Sequence, residues 1–208
     1  GGVFSHAERM DLMELLFSNP DFAVCIKPVG LDSEHQLPAA LTEALGGEFL
    51  PVHRLDKTVG GVMVFARNKK SAAALSREIQ AGCFIKEYLA LVHGVPPESG
   101  DWEDLLWKDS SKNKVYVVKR KRGGVKEARL TFRRLTDNDP ALVAVRLYTG
   151  RSHQIRVQFA SRGFPLAGDR KYGGKDDFPS PMLYSCRLTF SLNGKSYTFE
   201  SRPDWAQL

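Results

Sequence analysis

An α+β fold, with a mixed, mainly antiparallel β-sheet and a few short helices, is predicted for this 208-residue chain by three observations. Apolar runs of strand length recur along the chain and are bounded by Gly, Pro, Asn or Asp. Helical spacing is confined to short stretches. The two kinds of element do not alternate in the β-α-β rhythm that builds a parallel sheet.

Taken in order, residues 7–17 set Met10, Met13, Leu16 and Phe17 at helical spacing before the Asn19-Pro20-Asp21 turn, which predicts an amphipathic helical extension within residues 1–20. Phe22–Ile26 is an apolar strand halted by Lys27-Pro28 and Gly30, and Gly61–Ala66 is a second. Residues 69–80 are Ala-rich with Leu75 and Ile79 on one face, a helix ending near Gly82. Glu87–Val92 is the next strand. Val115–Val118 and Ala128–Phe132 flank Lys119-Arg120-Lys121-Arg122-Gly123-Gly124, which predicts a hairpin with a cationic tip. Ala141–Tyr148 reads as a strand, Ser152–Ser161 as a helix capped by Ser152, and residues 182–191 and 195–200 as a hairpin across Asn193-Gly194. No linker, repeat or low-complexity tract interrupts the chain. We expect one domain over residues 1–208, with a basic insertion at 108–134.

Composition narrows the class. Apolar residues make up 42% and charged residues 26%, ordinary values for a soluble globular protein and unlike those of a disordered chain. The apolar cluster Leu12–Phe17 is short and interrupted by Glu14, so it reads as neither an export signal nor a membrane anchor. Cys25, Cys83 and Cys186 are odd in number and widely spaced, which argues against a disulfide framework or a zinc site. Reduced, buried thiols in a cytoplasmic protein are the expectation. The net charge of +6 is uneven: residues 108–134 hold eleven Lys or Arg against two acids, a local +9 that leaves −3 on the remainder. Concentrated positive charge is the footprint of a polyanion, because each cation that neutralises a phosphate releases counterions. A solvated, charged hairpin is the plainer reading of the same residues.

His53-Arg54-Leu55-Asp56-Lys57-Thr58 sets one short carboxylate between cations at the edge of an apolar strand. An aspartate is ionised at neutral pH and can act as nucleophile or base, provided a cation balances it when it is buried. Arg156, in Gly150-Arg151-Ser152-His153-Gln154-Ile155-Arg156-Val157, is the candidate partner, since a guanidinium holds a carboxylate bidentately and keeps its charge. A turn-capping role for Asp56, or a pair with Arg54 or Lys57, stays open. Other constellations fit worse: no second carboxylate is placed for a glycosidase pair, His53 and His153 lack further ligands at metal spacing, and there is no phosphate-cradling glycine loop.

Five segments in order resemble the successive motifs of the RluA family of pseudouridine synthases. They are Phe22–Leu31, His53–Gly61, Lys86–Gly94, Gly150–Val157 and Pro165–Gly173, and they reach across nearly the whole chain. The resemblance implies an antiparallel sheet core with a central active-site cleft. It also implies RNA, ribosomal or transfer, as substrate, isomerisation of chosen uridines after base flipping, no metal or organic cofactor, and monomeric action. Asp56 matches the family's essential aspartate, which attacks ribose C1′ or removes the C2′ proton. Tyr88 matches the active-site tyrosine, with its ring against the uracil and its hydroxyl near C5. Arg156 matches the arginine paired with the carboxylate, and Arg54 the one that fills the gap left in the RNA stack. Ile155 would pack on the base. His53, Leu55, Gly150 and Gln154 read as scaffold. Lys112, Lys114, Lys119, Arg120, Lys121 and Arg122 correspond to an RNA-gripping loop.

Two departures stand out. Thr58-Val59-Gly60-Gly61 replaces the family's Thr-Ser-Gly-Leu, and Leu31-Asp32-Ser33-Glu34 replaces a more apolar, His-containing stretch. No separate RNA-binding module and no obligate protein partner is read from the sequence, and no membrane association. Two other classes remain in view: a catalytically silent RNA-binding protein on the same fold, and a single-carboxylate nucleoside or glycan hydrolase.

Overall fold

The structure, a computed structural model, describes residues 13–206. In chain order the elements are β1 (Glu14–Ser18), β2 (Phe22–Lys27), α1 (Gln36–Leu45), β3 (Leu50–Pro51), β4 (Gly60–Ala66), α2 (Lys69–Gln80) and β5 (Ile85–Val92). There follow β6 (Ser99–Asp109), β7 (Lys114–Val118), β8 (Val125–Arg134), β9 (Ala141–Leu147), α3 (Gln154–Ala160), a 3-10 turn at Arg170–Tyr172, β10 (Leu183–Leu192) and β11 (Lys195–Glu200). The ladders β1–β2, β2–β4, β5–β9, β6–β7, β6–β8, β8–β9 and β10–β11 are antiparallel, as an α+β fold with short helices requires. Among the described residues no helix is long and apolar enough to cross a membrane.

The chain divides into two compact units, one of residues up to Ile85 with Ser185–Pro203, the other of Lys86–Tyr184 with the short segment that begins at Asp204. In the first, the strand order is β1-β2-β4-β10-β11, and β3 adds to the end of β4. Phe22, Val24, Val62, Val64, Leu188 and Phe190 alternate onto one face, where Leu75 of α2 covers them. Phe22 meets Phe17 at 5.0 Å and Phe190 edge-on at 5.3 Å. α2 starts where it does because Asn68 accepts the Ser71 N–H at 2.8 Å, an N-cap that satisfies an orphan donor. Gly61 is imposed by packing. Its φ is +126°, and a Cβ there would lie 2.3 Å from the Ser185 carbonyl oxygen, so only glycine lets β4 and β10 meet.

In the second unit the order is β5-β9-β8-β6-β7. α3 lies on one face of this sheet, with Val157 packed among Leu106, Val115 and Ala128. Phe159 lies 4.7 Å from Trp102 and 5.1 Å from Phe132.

Several expectations need correction. Of the helix expected over 7–17, residues 1–12 lie outside the described residues, and Glu14–Ser18 is a strand. A register shift between Leu15 and Phe17 turns the consecutive Leu16 and Phe17 both inward, which mimics helical spacing. Ser152 does not cap a helix. α3 begins at Gln154 because His153 adopts a left-handed conformation with φ +51°. Gln154 instead ties the preceding turn, accepting from the Arg151 N–H at 3.0 Å and the Thr149 hydroxyl at 2.8 Å. β7 and β8 do not form a hairpin but flank β6 on opposite sides. Of the three cysteines only Cys25 is buried, while Cys83 is exposed and Cys186 half-buried. Burial pushes the Cys25 thiol up to about 12, against a smaller opposing pull from Lys27, and makes it inert.

Candidate active site

In the first unit, Asp56 sits on the loop between β3 and β4, half-buried, and the loop is pinned from beneath. Lys27 is 0% exposed, and its ammonium donates to the carbonyls of Pro28 at 2.9 Å and Lys57 at 3.2 Å. The buried Ser33 hydroxyl donates to the Leu55 carbonyl at 3.0 Å and accepts the Leu55 N–H at 3.2 Å. The Gly30 N–H donates to the Lys57 carbonyl at 2.7 Å, and the Val59 N–H to that of Asp56 at 2.9 Å. Leu55 and Lys57, on either side of the aspartate, are thereby tied to β2 and the segment after it. Desolvation brings Lys27 down to about 8, resisted first by the negative charge of Asp56 and then by that of Asp32. The carboxylate therefore favours the charged form of the buried cation.

The unusual stretch Leu31–Glu34 proves to be built into this loop. Besides the Ser33 bonds, Asp32 accepts the backbone N–H groups of Glu34 at 3.0 Å and His35 at 2.6 Å, turning the chain into α1. Glu34 lies 3.7 Å from Arg54, and both are exposed enough for the attraction to be worth little. Nothing in Thr58–Gly61 disrupts the loop either; Gly61 serves the close approach to β10.

In the second unit, Arg156 is 5% exposed and sits on α3. Its Nε and Nη2 donate to the two oxygens of Asp169 at 2.6 and 2.9 Å, a bidentate pair with both partners buried. Removing either partner of such a pair costs about 3–5 kcal/mol, since a charge is left buried and uncompensated. The Tyr172 ring lies 5.2 Å from the guanidinium and its hydroxyl accepts the Val115 N–H at 2.8 Å and meets His153 Nδ1 at 2.7 Å. Tyr88, 5% exposed, pairs with Val145 across β5 and β9, and Ile155 is 3% exposed. Lys86, two residues before Tyr88, is held below the usual lysine range by burial and by the cation of Arg151. Asp169 and Tyr172 are the residues that sequence reasoning missed. Both lie in the matching segment Pro165–Gly173, the one signal that pointed to them.

The basic residues fall in two places. Lys112 is exposed on the β6–β7 turn, 3.9 Å from Asp109, with Lys114 at the start of β7. Lys119, Arg120, Lys121 and Arg122 are exposed on the connection from β7 to β8, where Lys121 pairs with Glu127.

The fold has solved counterparts. A human protein, RNA pseudouridylate synthase domain containing 1, superposes with a TM-score of 0.80 over 93% of this chain and 84% of its own, at 23% identity. Residues 21–161 match the family described as RNA pseudouridylate synthase, and the chain belongs to that family. An uncharacterized RNA pseudouridine synthase of Chloroflexus aurantiacus is 40% identical over 134 residues, covering 62% of this chain and 41% of that protein's length. Ribosomal large subunit pseudouridine synthase D of Zymomonas mobilis is 31% identical over 228 residues, covering 95% of this chain and 71% of its own.

Proposed function

We propose that this chain isomerises uridine to pseudouridine in RNA, with Asp56 as nucleophile or base. The observation that carries the reading is that Asp56, inside the matched family segment, is held on a loop pinned by the buried Lys27 and Ser33. A carboxylate on a loop fixed in place by a buried cation suits attack at ribose C1′ or removal of the C2′ proton. The N1–C1′ bond breaks, the uracil turns, and C5 bonds to C1′ as the Asp56–C1′ bond breaks or, on the second route, as Asp56 returns the proton to C2′. The C5 proton is then lost and N1 gains one, so atoms balance without an oxidant, a reductant or a metal.

Tyr88 offers its ring to the uracil and its hydroxyl to the C5 proton, and Ile155 packs on the base. Arg156 serves as cation to the carboxylate, its own rotamer set by Asp169. A uridine in folded RNA has to leave the stack before these groups reach it, at a cost of a few kcal/mol. Arg54, exposed at the mouth of the Asp56 loop, fills the space left behind. Lys112, Lys114 and Lys119–Arg122 offset the cost through phosphate contacts. Large-subunit ribosomal RNA is the proposed substrate, by analogy with the Zymomonas mobilis relative named for that subunit, and the setting is the cytoplasm.

Asp56→Asn should abolish pseudouridine formation in ribosomal RNA, read by mass spectrometry as loss of the C5 deuterium from RNA carrying 5-deuterated uridine, while RNA affinity stays within about two-fold. Undiminished isomerisation in that variant would refute the assignment. Release of free uracil by the wild-type protein would instead mark a hydrolase.

A further inference from the structure

β7 ends at Val118, opposite Leu105 of β6, and β8 begins at Val125, opposite Trp107 on the other side of the same strand. Residues 119–124 therefore have to pass over one face of β6, as a strap. The face is the one that carries Trp107. The Arg122 guanidinium lies 5.1 Å from the indole centre, and a Cβ on Gly124 would stand 3.8 Å from the indole edge.

Alternation along the strands separates two sides. Leu106, Val115 and Ala128 turn toward α3 and its Val157. Trp107 and Tyr116, register partners, turn the other way with ring centres 6.1 Å apart, and both are half-buried. Lys114 extends the arrangement, its ammonium 5.6 Å from the centre of Tyr116 and 5.6 Å from that of Tyr172. Lys114, Tyr116, Trp107 and Arg122 thus form a row in which rings and cations interleave, while Tyr172 packs on the α3 side against the Leu106 and Val115 cluster.

We propose that this row binds an unpaired stretch of the RNA substrate, its bases stacking on Tyr116 and Trp107 and its phosphates meeting Lys114 and Arg122. The inference rests on the reading of the chain as an enzyme of RNA, and it adds aromatic recognition to what charge alone had offered. Charge complementarity fixes the class of occupant, since cations set beside half-buried rings match a strand of alternating phosphates and flat bases. A duplex hides its base faces and would find only the cations. Trp107 also positions Arg122, so the strap presents an ordered guanidinium to the RNA. The selectivity that results is for loops, bulges and ends.

The test is made in the full chain carrying Asp56→Asn, so that binding is read without turnover and the isomerase reading is judged separately by its own assay. The probe is a single-stranded oligouridylate of about a dozen nucleotides carrying 5-iodouridine, with a perfect duplex as control. Tyr116→Ala should weaken single-strand binding about ten-fold, leave the salt slope unchanged and leave duplex binding within about two-fold, while Tyr116→Phe binds like the parent. Photo-crosslinks should map to Tyr116 or Trp107. If Tyr116→Ala fails to fold, the crosslink map on the parent decides alone. Crosslinks confined to other residues would overturn the proposal, as would equal losses on single strand and duplex, or a shallower salt slope in Tyr116→Ala. Self-association lost in Tyr116→Ala, with RNA affinity unchanged, would also overturn it and mark the row as a docking face for a second copy.

Discussion

Lys27 is the residue on which charge and geometry meet most closely. It is fully buried, and it holds the Asp56 loop through two carbonyls, yet burial has brought it from 10.5 to about 8. The folded state therefore binds its proton less tightly than the unfolded chain does. The cost of keeping it charged is borne in full below pH 8, shrinks between 8 and 10.5, and is gone above that window. A difference of this size corresponds to about 3 kcal/mol. Lys27→Met should remove that dependence. Urea midpoints of the two proteins, compared from neutral pH to above 10, should draw together as the wild type gains stability relative to the variant. Parallel profiles would mean that Lys27 does not titrate in that range. Asp169 makes the complementary point about Arg156. The sequence presented Asp56 as the obvious carboxylate because it stands among cations, whereas Asp169 lies thirteen residues beyond Arg156 with no local pattern to mark the bidentate bond between them.

At the level of elements, the close approach of β4 to β10 rests on Gly61, where a side chain would meet the backbone of Ser185 at 2.3 and 2.5 Å. Gly61→Ala should destabilise the protein by about 3 kcal/mol or more, since backbone strain and overpacking act together. Gly82→Ala provides the comparison: its φ is +73° with open space around it, so only the conformational cost of about 1 kcal/mol remains. Equal midpoints for the two variants in chemical denaturation would show that the sheet spreads at no cost. Much of this level was legible in the sequence. α2 was readable because its apolar face, its Asn68 cap and its end all lie within one short window. The β10–β11 hairpin was readable because Asn193 and Gly194 both take positive φ, as that turn demands. β1 was not, because a bulge broke its alternation. β7 and β8 were misread as partners because the strand between them, β6, comes earlier in the chain, and register across such a distance leaves no local trace.

For the whole molecule, the uneven charge becomes a statement about binding. Four of the eleven basic residues in 108–134 are gathered on the strap, all exposed. Replacing Lys119, Arg120, Lys121 and Arg122 with Gln should weaken RNA binding and make the plot of log affinity against log salt shallower, by up to about 3 in slope for single strands. An unaltered slope would mean that the strap is only a solvated face. The same variant should keep its fold, because among the described residues the ion pair given up there, Lys121 with Glu127, lies in solvent.

The strap also determines how the chain tolerates being cut. Four consecutive exposed basic residues there offer a trypsin-like protease a run of cleavage sites. Cleavage would leave β6 and β7 on the leading fragment and β8 on the trailing one, with β6 and β8 still joined over nine residue pairs. The nicked protein should run as one species in gel filtration and as two bands after denaturation. The chain can therefore be severed at its cationic strap and remain one molecule, which makes residues 119–124 the natural place to divide it into two complementing halves.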